Sequence, residues 1–86
     1  MPRVKIYSTG TCPICDKAKA LLQKWGVAYD EARIDLDQSL LAEFSRVTNG
    51  ARTVPQIIID EKWIGGFSDL TELHMDGGLD DLLANK

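Results

Sequence analysis

Two cysteines, one histidine and two each of tryptophan, tyrosine and phenylalanine are all that 86 residues hold of those types. Such scarcity speaks against structural zinc, which draws on four nitrogen or sulfur donors. This chain offers one cysteine pair and the distant His74, so only a site shared between two chains would be complete. Excess positive charge is missing too. The net charge is −3 with acids and bases interspersed, whereas a nucleic-acid partner calls for a basic patch. No apolar run approaches the ~20 residues of a membrane span. The opening "MPRVKIYS" reads directly as a strand, with no apolar leader before a small-residue cleavage site. Linkers, repeats and low-complexity stretches are absent. The expectation is one domain over residues 1–86, soluble and cytoplasmic, with neither membrane nor nucleic acid as partner. Its 44% hydrophobic and 27% charged residues are ordinary globular composition. A chain of this length buries about 60–65% of its unfolded surface, enough for a modest core without staples.

What is present is periodicity that changes along the chain. "RVKIYS" alternates, with Val4 and Ile6 inward and Lys5 and Tyr7 outward, as a half-buried strand does. From Pro13 the spacing becomes helical: Cys15, Ala18, Leu22 and Trp25 share a face until Gly26 stops the run. Pro13 suits a first helical position, where its missing N–H costs nothing. "VAYDEARID" reads as a second strand. "SLLAEFSRVT" reads as a second helix, with Leu40, Leu41, Phe44 and Val47 on one face and Asn49-Gly50 as its left-handed stop. "VPQIIID" is a buried strand, "EKW" turns into a short strand ending at Gly65-Gly66, and "DLTELH" and "LDDLLANK" are short helices parted by Gly77-Gly78. The order β-α-β-α-β-β-α, with one last short helix, implies a parallel crossover followed by a hairpin. An α/β fold with a mixed four-stranded sheet and helices on both faces is the natural packing, which is the thioredoxin-like arrangement. His74, Trp25, Trp63 and Phe44 take plain readings: a surface histidine, and aromatics packed at the core or its edge.

The stretch "TGTCPICDKAKALL", residues 9–22, carries the chemistry. Its two cysteines are incidental core residues, metal ligands, or a pair that cycles between dithiol and disulfide. In a reducing compartment a close pair is more often catalytic or metal-binding than structural. On a helix, positions i and i+3 are neighbours with Cβ atoms ~5–6 Å apart, near the range a disulfide needs. Cys12 falls where free backbone N–H groups collect at a helix start, and these favour a thiolate. Cys15, one turn inside on the apolar face, is expected to be buried and less acidic. An exposed nucleophile beside a sheltered resolving thiol is a redox arrangement.

"TCPIC", "ARTVPQI" and "WIGGFSDL", in that order over almost the whole chain, resemble a glutaredoxin of the dithiol class. The resemblance implies glutathione-dependent thiol–disulfide exchange, with Cys12 as nucleophile and Cys15 as resolving thiol. Glutathione would be a co-substrate with no tightly bound cofactor and no metal. The partners implied are glutathionylated or disulfide-containing proteins, met by a monomer. The family's proline at Pro55 is cis. That geometry would leave the N–H and C=O of Val54 facing outward beside Cys12, for an extended peptide to pair with. Pro13, Ile14, Thr53 and Val54 then line the glutathione site. Gly65-Gly66-Phe67-Ser68-Asp69 opens a helix whose N–H groups suit an anion, while Asp69 would repel one. A zwitterion fits both, with its carboxylate on Gly66 and Ser68 and its ammonium on Asp69; the γ-glutamyl end of glutathione is such a group. Arg52 matches an arginine many members carry and would meet the glycyl carboxylate.

Two positions depart from the family pattern. Ile14 stands where tyrosine is common, which removes a hydroxyl and an aromatic wall. Thr9 stands where lysine is common, which removes a cation beside the thiolate; Lys17 is the candidate substitute. Two rivals remain open at this point. Glutaredoxin-like electron donors to ribonucleotide reductase use thioredoxin reductase, but they lack the Gly-Gly-x-x-Asp pocket that Gly65, Gly66 and Asp69 supply. Cluster-binding members hold iron–sulfur between two chains through the first cysteine and two glutathiones, and Pro13 argues against that use.

Overall fold

The computed structural model describes residues 3–84; the ends of the first strand and last helix read at Met1, Pro2, Asn85 and Lys86 lie outside it. In chain order the elements are β1 (Val4–Ser8), α1 (Pro13–Lys24), β2 (Tyr29–Arg33), α2 (Gln38–Val47), β3 (Gln56–Ile59), β4 (Lys62–Gly65), α3 (Phe67–Met75) and α4 (Gly78–Ala84). The strands form one sheet in the order β2-β1-β3-β4. β1 runs parallel to β2, with Val4 opposite Tyr29, and antiparallel to β3, with Ile6 opposite Ile57. The expected mixed, four-stranded, thioredoxin-like fold is the one found.

Both faces of the sheet are covered, unequally. One face packs Val4, Ile6, Ile57 and Ile59 under Ala18 and Leu22 of α1, Leu70 of α3 and Leu79 of α4. The other carries a smaller cluster of Tyr7, Ala32 and Ile58 against Phe44 of α2. Tyr7 was expected to face outward. It is buried, because α2 lies over the face it points to, with Phe44 meeting its ring edge-on at 5.5 Å. Its hydroxyl donates to Glu43 at 2.5 Å, and Glu43 also pairs with Lys5 at 2.6 Å. Leu41, placed by its spacing on the inward face of α2, is 47% exposed; Phe44 is the buried residue of that helix.

Turn chemistry fixes the joints. Gly26 (φ 72°) follows α1, and Asn49 (φ 56°) and Gly50 (φ 83°) follow α2, the left-handed stop that the sequence predicts. The β3–β4 hairpin turns through Asp60 and Glu61, both at positive φ, as a two-residue turn of the favoured hand requires. Arg3 holds that turn twice: its side chain pairs with Asp60, and its carbonyl accepts the Asp60 N–H at 3.0 Å. A register shift between Ile57 and Ile58 leaves Gly65 opposite Ile57 and Trp63 opposite Ile58. Gly77 (φ 82°) separates α3 from α4, and Gly78 begins the latter instead of standing in the gap.

Candidate active site

Cys12 is the N-cap of α1, in extended backbone geometry (φ −126°, ψ 99°), with Pro13 at the first helical position. A cap residue contributes its side chain to the orphan N–H groups of the first turn. Here the sulfur does so: the backbone N–H of Cys15 donates to Cys12 Sγ at 3.1 Å. The Cys12 thiol in turn donates to the Val54 carbonyl at 3.7 Å. Cys12 is partly exposed; Cys15 is buried, and both are free thiols. Burial pushes the Cys15 thiol up to about 12, helped by its hydrogen bond to Cys12. A backbone hydrogen bond from Thr9 and the charge of Lys19 act the other way.

The Val54–Pro55 bond is cis, and the Val54 carbonyl lies beside Cys12 at the helix start. The Pro55 carbonyl lies 3.4 Å from where a Cβ on Gly66 would sit, bringing the Gly65-Gly66 turn against the proline. Gly65 (φ 126°) has a local reason to be glycine: a Cβ there would overlap the Asp69 carboxylate. That carboxylate reaches back from the third position of α3 and accepts the Gly66 N–H at 3.0 Å, the acidic half of a capping box. Ser68 and Asp69 are exposed. Three separate segments, the start of α1, the residue 53–55 turn and the start of α3, therefore meet at one end of the sheet.

Several expected participants are solvent-exposed. Ile14 projects into solvent, 49% exposed. Arg52 and Thr53 are exposed on the same turn as Val54, and no ion pair involves Arg52 among the described residues. Lys17 faces solvent. Lys19 is the lysine that bears on the pair, held at 2.8 Å by Glu31, which also accepts from the buried Ser8 hydroxyl at 2.6 Å. His74 is not a plain surface residue: it stacks on Trp25 at 3.8 Å, with its Nδ1 buried and unbonded. A cavity of about 410 Å³ lies elsewhere, beneath α2, lined by Arg3, Lys5, Tyr7, Glu43 and Arg46. It shares no residue with the cysteine site.

Two arrangements escaped sequence reasoning. Arg33, at the end of β2, pairs with Asp35 through two contacts of 2.8 Å, and Asp35 accepts the Gly10 N–H at 3.0 Å. These contacts hold the Asp35 carboxyl well below the usual carboxylate range, Arg33 contributing most. They tether the loop that leads into Cys12. Gln56, only 6% exposed, donates to the Thr53 carbonyl at 3.1 Å and hydroxyl at 3.2 Å, and accepts from Trp63 Nε1 at 2.9 Å. One signal was available for it, a polar residue heading the otherwise apolar run "QIII".

A solvent-reached thiol capping a helix, a second thiol buried one turn inside, and a cis-proline turn facing the first define a dithiol oxidoreductase of thioredoxin-like fold. The family is now specific: the sequence model described as glutaredoxin matches residues 4–64. Glutaredoxin 3 of Escherichia coli K12 is 47% identical over 83 residues, spanning 96% of this chain and 99% of that protein. A glutaredoxin of Pseudomonas aeruginosa is 48% identical over 84 residues, spanning 98% and 99%. Among solved structures, the buckwheat glutaredoxin–glutathione complex superposes with TM-score 0.84 at 29% identity, covering 96% of this chain and 77% of that one. The Brucella melitensis glutaredoxin gives 0.79 at 38% identity, covering 96% and 89%. The chain belongs to the glutaredoxin family, and it is a glutathione-dependent oxidoreductase.

Proposed function

We propose that this chain reduces protein–glutathione mixed disulfides and protein disulfides, with glutathione as the electron source. The observation that carries this is the unequal pair: Cys12 open to solvent with a backbone N–H on its sulfur, Cys15 buried behind it. The Cys12 thiolate attacks the glutathione sulfur of a mixed disulfide. A new S–S bond joins Cys12 to glutathione, and the protein leaves as a thiolate that takes up a proton. A second glutathione thiolate then attacks that glutathionyl sulfur, oxidised glutathione departs, and the Cys12 thiolate returns.

On a protein disulfide, Cys12 forms the mixed disulfide and one protein thiol leaves. Cys15 then attacks the Cys12 sulfur, the second protein thiol leaves, and two glutathiones reduce the resulting Cys12–Cys15 bond. Part of what holds Cys15 protonated is Cys12 itself.

For glutathione, Val54 would pair its backbone N–H and C=O with the cysteinyl residue, as an added strand does. The γ-glutamyl end would take the Gly66, Ser68 and Asp69 corner, and the glycyl carboxylate Thr53 and Arg52, with Pro13 and Ile14 beside the sulfur. That a buckwheat relative was solved as a glutaredoxin–glutathione complex supports glutathione as the ligand. We also propose a monomer working in the cytoplasm, where glutathione keeps thiols reduced.

The deciding assay couples reduction of a small glutathione mixed disulfide to glutathione reductase, then repeats it with thioredoxin reductase in place of glutathione and its reductase. Turnover with the first system supports the proposal; turnover with the second alone overturns it. Asp69→Ala should raise KM for glutathione about ten- to hundredfold if a charge-assisted hydrogen bond is fully expressed, with kcat changed less.

A further inference from the structure

The Gln56 amide is oriented by its neighbours. An indole N–H only donates, and Trp63 Nε1 faces Gln56 Oε1 at 2.9 Å. The amide nitrogen must therefore face Thr53, where it meets two acceptors, the carbonyl at 3.1 Å and the hydroxyl oxygen at 3.2 Å. A hydroxyl that accepts one bond keeps its own proton to give elsewhere. Thr53 is exposed, so that proton is available to solvent or ligand. Chains of hydrogen bonds running in one sense polarise one another, each donor strengthened by the bond it accepts. The sequence Trp63→Gln56→Thr53 runs from the edge strand β4, through the residue that follows the cis-proline, to the turn beside Cys12.

We propose that Gln56 and Trp63 are positioning residues whose relay turns the Thr53 hydroxyl outward as a donor for a carboxylate of the glutathione substrate. This rests on the glutathione reading above and assigns the turn a polarity: the Thr53 hydroxyl accepts from Gln56 and donates its own hydrogen bond to the ligand. Gln56 also fastens the Thr53 carbonyl, so the same amide sets the backbone that leads into Val54. Trp63, half-exposed at 44%, acts at a distance from the substrate through the amide it pins.

The test measures kcat and KM for Gln56→Met and Trp63→Phe with two thiols, glutathione and its glycyl amide, in which the carboxylate is blocked. The relay predicts that KM for glutathione rises about two- to tenfold in each variant, the range of a neutral hydrogen bond. With the glycyl amide the rise should be smaller, and kcat should stay within about twofold for both thiols. A merely structural role for these residues would raise KM for both thiols alike or lower kcat, and either result overturns the relay. Unmoved KM values overturn it as well. Trp63→Phe keeps an aromatic ring on a half-exposed edge, so it decides the matter if Gln56→Met fails to fold. Wild-type turnover with glutathione, measured in the same plate, separates the outcomes: an inert wild type removes the proposed function itself, an active one with unmoved variants removes only the relay.

Discussion

Cys12 and Cys15 are separated by one turn of one helix, and almost everything else about them differs. Cys12 stands outside the helix proper, in extended geometry, reached by solvent and touched by the Cys15 N–H and the Val54 carbonyl. Cys15 is inside the first turn, fully buried, with its thiol pushed up to about 12 chiefly by that burial. The same side chain is given opposite tasks by a shift of three positions. A helix start offers unpaired donors to one sulfur, and the apolar stripe of the same helix takes the other into the core. The lesson is that a redox pair needs asymmetry of surroundings more than closeness.

The sharpest way to break the comparison is Cys12→Ser, which should abolish turnover with mixed disulfides and protein disulfides alike in the coupled assay. Cys15→Ser should split the two activities. Small glutathione mixed disulfides stay substrates, protein disulfides reduced by the dithiol route do not, and intact mass finds a glutathione adduct on Cys12. A Cys15→Ser protein inert toward mixed disulfides and free of adduct would mean that the two thiols do not divide the work this way.

A milder probe leaves the protein intact. Limited alkylation of the reduced chain at pH 6, followed by peptide mapping, should label Cys12 before Cys15; the reverse order would exchange their roles. The smallest effect is on stability. A thiol raised in the folded state contributes stability that is whole below its unfolded value of about 8.5 and is lost as pH rises toward 12. Tyr7, raised by burial and then by its bond to Glu43, behaves likewise from about pH 10 upward. Tm of the reduced protein should therefore decline above about pH 9. Cys15→Ala should flatten the first part of the decline and Tyr7→Phe the last, as thermal scans across that range would record.

The element order, the Asn49-Gly50 stop and the β3–β4 hairpin were legible because each rests on local features: spacing, a cap, a short connection between two strands. The two cysteines were legible for the same reason, since a helix start is a local feature. Tyr7 was not, because alternation tells which face a side chain takes and not what covers that face; α2, from thirty residues on, covers it. Leu41 misled by lying within the apolar spacing of α2 at its solvent edge. His74 and Trp25 come from different helices and meet only in the folded chain. Thr9 leaves out a cation, and the sequence alone offers a replacement only nearby on the same helix, at Lys17. The charged groups that flank the pair, Lys19–Glu31 and Arg33–Asp35, depend on β2, which no spacing rule relates to α1.

Gly10 carries a consequence for how this sequence can change. Its Cα lies so close under the Arg33 guanidinium that any Cβ would overlap it, and Asp35 takes its N–H. Positions 10 and 33 are therefore linked: alanine at 10 obliges the flexible end of Arg33 to swing aside, which it can do while giving up its contacts to Asp35. A lineage that places alanine at 10 can keep Arg33, but it loosens the tether of the loop before Cys12, although the two residues are twenty-three positions apart and neither is one of the thiols.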